Sequence, residues 1–212
     1  RKFFFEKAEK TPDEPLPQQQ LELAQMFTGE KEGLKSVWLG HSSLIINIDV
    51  YFILTDPVFE AKVTPVGPRR FNREIPLNVR DLPSVDLVII SHDHYDHLDY
   101  GSILELKGKV DHFYTPLGVG AHLLEWGVPQ KRITELDWWQ ERTFGDLVFR
   151  CTPAQHFSGR GINDRGNTLW ASWIIQSSTE NIFFSGDSGY GSHFKEIGDK
   201  YGPFDFAMME CG

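Results

Sequence analysis

The sequence predicts an α/β fold in which β-sheets pack face to face and helices cover their outer surfaces. Two observations lead to this prediction. From Val37 onward, short β-rich runs follow one another closely, as in an antiparallel meander, and later strands alternate with helical segments. Residues 1–33 are instead polar, with several prolines before a short helical pattern at 21–27, and we expect an arm lying on a domain formed by residues 34–212.

The predicted elements follow in order along this domain. Short turns separate the first three strands, so we expect them to be antiparallel neighbours. Helix 116–126 is predicted because it begins with proline and stops at Gly127. Strands are expected at 37–39, 44–48, 51–55, 85–90, 112–114, 133–136, 147–152, 172–176, 182–185 and 204–209, and further helices at 102–106 and 193–197. The chain stops directly after the last strand, so we expect the C-terminal part of the domain to be missing from it.

The composition is that of a globular protein, with 16 Phe, 6 Trp and 6 Tyr among 212 residues. A formal net charge of −9 disfavours sequence-independent binding to nucleic acid, which requires clustered cations. Apolar runs are too short for a membrane-spanning helix. The chain has two cysteines, Cys151 and Cys211. So few cysteines are more typical of a protein from a reducing compartment than of a disulfide-rich secreted protein. We therefore expect a cytoplasmic protein, with peripheral membrane contact left open.

The chemically most informative segment is residues 92–97, which contains three histidines and two aspartates directly after an apolar strand. Four of its residues fit the spacing HxHxDH: His92, His94, Asp96 and His97. Zinc favours such nitrogen and carboxylate donors at about 2.0–2.2 Å. The alternative is a histidine-rich surface loop, but a solvated loop does not need this spacing.

Two later residues stand where a strand passes into a loop. His156 follows strand 147–152, and Asp187 follows strand 182–185. Folds often present reactive groups from such positions. Taken alone, His156 would more often be a hydrogen-bonded loop residue, and Asp187 a turn or helix-cap residue.

The order of these residues resembles the pattern of the metallo-β-lactamase superfamily, in which HxHxDH is followed by a later histidine and then a later aspartate. Within it, the chain is similar to the branch of N-acyl-phosphatidylethanolamine phospholipase D and its bacterial relatives. The resemblance implies a four-layer αββα sandwich, which would lack its final strands and helix here. The matching segments are Trp-Leu-Gly-His at 38–41, Leu-Thr-Asp-Pro at 54–57, Gly-Pro-Arg-Arg-Phe at 67–71, residues 91–100, Glu-Leu-Asp-Trp-Trp at 135–139, Gly-Asp-Ser-Gly-Tyr at 186–190 and Gly-Pro-Phe-Asp at 202–205.

The resemblance also implies a binuclear zinc site. It assigns His92, His94 and His156 to one zinc, Asp96 and His97 to the second, and Asp187 to a bridge between them. The last ligand of the family, a downstream histidine, has no counterpart before Gly212. Two zinc ions are expected in the complete protein, and in this chain the second is expected to be weak, absent or completed by water.

Two cations about 3.5–4 Å apart can ionise a shared water and hold the hydroxide beside a phosphorus or carbonyl. We expect Asp96 and Asp187 to be the catalytic carboxylates. The predicted activity is zinc-dependent hydrolysis of a small-molecule or lipid phosphodiester, without a nucleic-acid substrate. A lactonase, or another ester or thioester hydrolase of the superfamily, is the first alternative. A non-catalytic zinc-binding protein is the second, although structural zinc usually recruits cysteine.

Several neighbouring residues allow two interpretations. Asp56 is either a hydrogen-bond partner that orients a ligand histidine or a turn cap before Pro57. His41 allows the same choice, with a structural hydrogen bond favoured. Asp93 is expected to face away from the metals. The run 69–71 could meet a phosphate, but such a run is more often a solvated loop. Trp138 and Trp139 either line an apolar entrance or, for at least one of them, pack in the core. His112, His122 and His193 are expected to be structural or solvated.

Overall fold

A computed structural model of the chain describes residues 14, 16–23, 33–61, 75, 77 and 79–210. Most of the predicted N-terminal helix, the run 69–71 and Cys211 therefore lie outside the described residues. Each helix within those ranges is too short or too polar to cross a membrane.

The first sheet has the order β1-β2-β3-β4-β5-β6. Strands β1 to β3 are antiparallel neighbours, as predicted, whereas β3 to β6 run parallel. The parallel strands need crossover connections, and helices α1 and α2 lie in two of them. The elements are β1 (Leu34–Gly40), β2 (Ser43–Ile48), β3 (Tyr51–Thr55), β4 (Val85–Ile89), α1 (Tyr100–Leu106), β5 (Val110–Pro116), α2 (Gly120–Glu125) and β6 (Ile133–Leu136), with 3-10 turns at Val79–Asp81 and Gln130–Arg132.

The second sheet has the order β11-β10-β9-β8-β7. Its strands pair in antiparallel fashion except β10 and β11, which are parallel and are joined through helix α3. The elements are β7 (Glu141–Phe144), β8 (Leu147–Thr152), β9 (Ser172–Gln176), β10 (Asn181–Phe184), α3 (Ser192–Tyr201) and β11 (Phe206–Met208).

In the part of the chain that the structure describes, three hydrophobic clusters separate four layers. The central cluster joins the two sheets, with Ile46 and Ile89 from the first and Phe149 and Trp173 from the second. A second cluster lies between the other face of the first sheet and helices α1 and α2, and a third between the other face of the second sheet and α3. This arrangement is the αββα sandwich expected from the sequence, built from two mixed sheets.

The structure differs from two sequence-based expectations. The helix predicted at 116–126 begins only at Gly120, because Thr115 and Pro116 still belong to β5 and pair with β6. Strand β7 was not predicted, because Glu141–Phe144 is polar and exposed and lies at the edge of its sheet. Pairing with β8, rather than an apolar pattern, defines this strand.

Candidate metal centre

The predicted ligand residues meet at one edge of the sandwich. The segment 91–97 follows β4 in the first sheet, whereas His156 follows β8 and Asp187 follows β10 in the second. The HxHxDH turn is closed by backbone hydrogen bonds from the amides of His97 and Leu98 to the carbonyl of His94. Loops from both sheets therefore build the site.

Three imidazoles form a first group of potential ligand atoms. His92 Nε2 lies 2.9 Å from His94 Nδ1, and His156 Nε2 lies 3.2 Å from that same His94 nitrogen. In a tetrahedral site with zinc–nitrogen bonds of about 2.0–2.1 Å, ligand atoms are about 3.3–3.4 Å apart. The spacing of His92, His94 and His156 thus fits one metal ion.

Asp187 lies between this group and His97. Its Oδ1 is 3.1 Å from His97 Nε2, and its Oδ2 is 3.8 Å from His156 Nε2. The ligand atoms of His92, His97 and Asp187 also lie within 4.8 Å of one another. One oxygen of Asp187 thus faces each side of the centre, as a bridging carboxylate would.

A further group contains a residue that the sequence did not favour as a ligand. His41, in the turn between β1 and β2, places Nε2 3.1 Å from His97 Nε2 and 3.1 Å from Asp96 Oδ2. These three ligand atoms lie within 4.8 Å of one another. The position of His41 opposite HxHxDH depends on strand pairing, and its only sequence signal is the Gly-His-Ser turn at 40–42.

Asp56 orients His97 from behind the centre. Its Oδ2 is 2.7 Å from His97 Nδ1, and its carboxylate accepts hydrogen bonds from the Ser91 amide and hydroxyl. Asp56 and His97 are both fully buried. These contacts favour the interpretation of Asp56 as the partner of a ligand histidine over that of a turn cap.

The carboxylates give His97 a strong preference for positive charge. Burial alone would lower the pKa of His97, but hydrogen bonds with Asp187 and Asp56 outweigh burial and raise the pKa to about 10. Burial in turn raises the pKa of Asp56, and the contacts with His97 and Ser91 lower it by less than burial raises it. The negative charges of Asp187 and Asp56 would stabilise either a proton or a metal ion at His97 Nε2.

Burial and neighbouring charges shift the pKa values of five further ligand candidates toward the protonation states that metal binding requires. Burial lowers the pKa of His92 well below its usual value, and it also lowers the pKa of His94 and of His156, so neutral imidazoles are favoured. Burial would raise the pKa of Asp96, but His41 and His97 outweigh it and lower that pKa. The pKa of Asp187 is likewise lowered, because His97 outweighs burial. Neutral imidazoles and ionised carboxylates suit a divalent cation.

Asp93 stands between two ligand candidates but outside the ligand groups, as expected. Its carboxylate accepts hydrogen bonds from the Gly159 amide at 2.7 Å and from Thr168 Oγ1 at 2.9 Å. The Arg160 guanidinium donates to the carbonyls of Asp93 and Leu98, each at 2.7 Å. These contacts tie the HxHxDH turn to the loop that follows His156.

The other histidines and the tryptophan pair have partners away from the ligand groups. His112 contacts Thr134 Oγ1 at 2.8 Å, and His193 contacts Ser188 Oγ at 2.9 Å. Trp138 packs against the central core, as predicted for at least one of the pair, and Trp139 packs against the cluster under α3. His122 faces Asp93 at 3.6 Å.

Comparison with known proteins agrees with this architecture. The chain is 44% identical over 205 residues to an uncharacterized protein of Mycobacterium tuberculosis, covering 95% of this chain and 54% of that protein. It is 33% identical over 196 residues to N-acyl-phosphatidylethanolamine-hydrolyzing phospholipase D 1 of Caenorhabditis elegans, covering 86% of this chain and 54% of the relative. The chain thus spans about half the length of these curated relatives.

Solved structures share the fold at low sequence identity. An isothiocyanate hydrolase from Delia radicum gut bacteria has a TM-score of 0.63 and 21% identity, covering 79% of this chain and 67% of its own. CmlA, a diiron β-hydroxylase from Streptomyces venezuelae, has a TM-score of 0.63 and 20% identity, covering 84% of this chain and 34% of its own. Residues 51–212 match the family model described as the beta-lactamase superfamily domain. With this match and the αββα sandwich, the chain belongs to the metallo-β-lactamase superfamily.

Proposed function

We propose that this chain forms the centre of a zinc-dependent hydrolase that cleaves phosphodiesters, with glycerophospholipids as the substrate class. The observation that carries the proposal is the set of adjacent His and Asp groups, in which Asp187 presents one oxygen to His97 and the other to His156. Adjacent metal-ligand groups that share a carboxylate suit two-metal hydrolysis, in which two ions lie close together.

The residues fit a pair of divalent ions. His92, His94 and His156 would hold one ion, Asp96 and His97 would hold the second, and Asp187 would contact both. Nitrogen and oxygen donors are those that zinc uses in catalytic sites, where a position is left open for water or substrate. The buried pair of Asp56 and His97 would fix the ring orientation at the second ion.

The chemistry supplied by two bound zinc ions is a lower pKa for coordinated water and stabilisation of negative charge on the oxygens around phosphorus. The chain contributes the carboxylates. The Asp96 side chain is 49% exposed, whereas that of His97 is fully buried. Substrate therefore approaches from the side of Asp96, where the carboxylate can accept a hydrogen bond from the attacking water.

The reaction adds the oxygen of water to phosphorus and breaks one phosphorus–oxygen ester bond. A proton from the water passes to the departing alkoxide, which leaves as an alcohol, and a phosphomonoester remains. Asp96 and Asp187 are the acidic groups placed to hold or pass that proton.

The choice of phosphodiester rests on the relatives. Besides the C. elegans protein, the chain is 31% identical over 197 residues to the mitochondrial N-acyl-phosphatidylethanolamine-hydrolyzing phospholipase D of Saccharomyces cerevisiae. It covers 42% of that relative. Their names supply the substrate class of the proposal, and a glycerophospholipid, whose phosphodiester carries apolar acyl chains, is the natural candidate.

The decisive experiment compares substrates on the chain depleted of metal and then reloaded with zinc. We expect turnover of bis-p-nitrophenyl phosphate and of an N-acylated phosphatidylethanolamine, and no turnover of homoserine lactone. Hydrolysis of the lactone alone would overturn the phosphodiesterase proposal. Elemental analysis that finds iron in the purified protein would overturn the assignment of zinc.

The first prediction concerns the bridging carboxylate. Asp187→Asn should lower phosphodiesterase activity by at least about 100-fold, because removing a ligand should cost no less than removing its hydrogen-bond partner. The matched control is Asp146→Asn, since Asp146 is an exposed aspartate in the turn between β7 and β8. Equal activities of the two variants would contradict the assigned role of Asp187.

A further inference from the structure

The turn between β1 and β2 places a histidine at the metal centre from a part of the chain remote from HxHxDH. We propose that His41 is a protein ligand of the second metal ion, alongside Asp96 and His97. The inference rests on the proposed binuclear centre and names the residue that helps to complete its second half. The ligand would be a divalent cation that accepts imidazole nitrogen, such as Zn²⁺ or Co²⁺.

Geometry is the first argument. His41 Nε2 is 3.1 Å from both His97 Nε2 and Asp96 Oδ2, close to the separation of about 3.3–3.4 Å between ligand atoms around tetrahedral zinc. The first group, His92, His94 and His156, shows similar spacings of 2.9 and 3.2 Å. The distances from His41 to Asp96 and His97 are therefore similar to the distances within the first group.

The backbone of the turn is the second argument. His41 has a φ of +50°, in the left-handed region, which histidine, asparagine and aspartate adopt more often than other residues with side chains. Trp38 Nε1 donates a hydrogen bond of 2.6 Å to the His41 carbonyl, and the pairing of β1 with β2 shifts register between Trp38 and Gly40. From this irregular turn the His41 imidazole places Nε2 3.1 Å from Asp96 Oδ2 and 3.1 Å from His97 Nε2.

An ordinary surface ion pair between His41 and Asp96 is the competing explanation. The two side chains are 46% and 49% exposed, and such a pair needs no third group. However, His41 Nε2 also faces Nε2 of His97, whose Nδ1 lies 2.7 Å from Asp56. The ligand atoms of His41, Asp96 and His97 all lie within 4.8 Å of one another. Two imidazole nitrogens and a carboxylate oxygen at this spacing form a donor set that suits a divalent cation.

The variant that tests this role is His41→Asn. Asparagine tolerates the left-handed backbone, so the turn is preserved, while its shorter side chain cannot reach Asp96 and His97 as imidazole does. His112→Gln is the matched control, because His112 contacts Thr134 and belongs to none of the ligand groups. Circular dichroism of both metal-free variants would establish that they fold.

The measurement is Co²⁺ titration of the metal-depleted chain, followed by visible absorption, with Zn²⁺ stoichiometry measured by elemental analysis. We expect two equivalents in the unaltered chain and in His112→Gln. His41→Asn should bind the first equivalent unchanged and the second at least about 10-fold more weakly, with altered absorption of the second Co²⁺. His41→Gly with added imidazole should recover the affinity for the second equivalent.

Unchanged affinity and absorption of the second equivalent in His41→Asn would overturn the proposal and leave His41 as an ion-pair partner of Asp96. Binding of only one equivalent by the unaltered chain would overturn the binuclear centre itself, and this assignment with it. Absence of phosphodiesterase activity, with the titration as expected, would overturn the proposed substrate alone.

Discussion

At the residue scale, the pair of Asp56 and His97 shows how burial makes a single carboxylate decisive. Asp56 serves three hydrogen-bond donors without access to water: the Ser91 amide, the Ser91 hydroxyl and His97 Nδ1. A buried charge of this kind is stable only while its partners remain in place. Asp56 therefore fixes both the ring of His97 and the start of the HxHxDH segment.

Asp56→Asn should weaken binding of the second metal equivalent by about 10- to 100-fold, the usual effect of removing the hydrogen-bond partner of a ligand histidine. An amide offers one acceptor oxygen where the carboxylate offers two, so one donor at Ser91 or His97 loses its partner. Zinc titration checks the prediction, with Asp146→Asn as the control. Identical zinc affinities in the two variants would show that Asp56 does not tune the metal.

At this scale the sequence was most informative where the chemistry is encoded locally. The spacing of His92, His94, Asp96 and His97 predicts their convergence, because all four lie within one turn. His41 was not favoured, because its distance to Asp96 depends on the pairing of β1 with β2 and on an irregular turn. The partners of Asp93 were not predicted either, since they come from the loop between β8 and β9.

At the element scale, the loop between β8 and β9 holds the HxHxDH turn through Arg160. The guanidinium donates to the carbonyls of Asp93 and Leu98 and lies over the rings of Tyr95, at 4.1 Å, and Trp126, at 5.2 Å. These contacts tie together two loops without regular secondary structure beside the candidate metal centre.

Arg160→Ala should lower the free energy of unfolding by at least about 2 kcal/mol, because hydrogen bonds to charged groups contribute about 1.5–3 kcal/mol each. Urea denaturation of the metal-free chain measures the effect. Arg142→Ala, on the exposed edge strand β7, is the matched control and should change stability by less than about 0.5 kcal/mol. A similar small change in both variants would contradict the role of Arg160.

Most strands were predictable because their apolar residues are buried on both faces of the sheets, as in β2, where all six residues are buried. Strand β7 was not, since edge position and exposure leave its sequence polar. The start of α2 was misplaced because the proline rule ignores pairing, and Pro116 remains in β5 opposite Leu136. Tertiary pairing overrode the local pattern in both elements.

At the scale of the whole molecule, the ligand candidates join the two sheets. HxHxDH extends from β4 in the first sheet, and His156 and Asp187 extend from strands of the second. The Trp173 indole, from β9, also donates a hydrogen bond of 3.0 Å to the carbonyl of Ile90, directly before the metal segment. We therefore expect a metal ion bound at this edge to stabilise the packing of one sheet on the other.

Zinc at 100 times its dissociation constant should stabilise the chain by about 2.7 kcal/mol, provided that the unfolded chain does not bind it. For a domain of this size, the melting temperature should rise by roughly 5–10 °C. Differential scanning calorimetry with and without a chelator measures the shift, which Asp187→Asn should largely remove and Asp146→Asn should retain. A shift of equal size in Asp187→Asn would exclude a link between the sheets through Asp187.

The central core also protects a thiol. Cys151 is fully buried in β8, and burial, followed by the charge of Asp137, raises its pKa. Because the thiolate is the reactive form, Cys151 should resist iodoacetamide in the native protein and react only after global unfolding. Mass spectrometry of the peptide that contains Cys151, at increasing urea concentration, tests this. Modification without urea would show that the sheets separate readily.

The convergence of loops from both sheets has a consequence for how the protein matures. Residues 92–97 leave the ribosome well before Asp187, so an early cation would find only a partial set of donors on the nascent chain. We therefore expect the ion to be fully retained only after the second half of the chain has docked. Stopped-flow refolding with a zinc-sensitive dye should therefore show ion capture as the last kinetic phase, after the far-ultraviolet signal of the separate sheets has appeared.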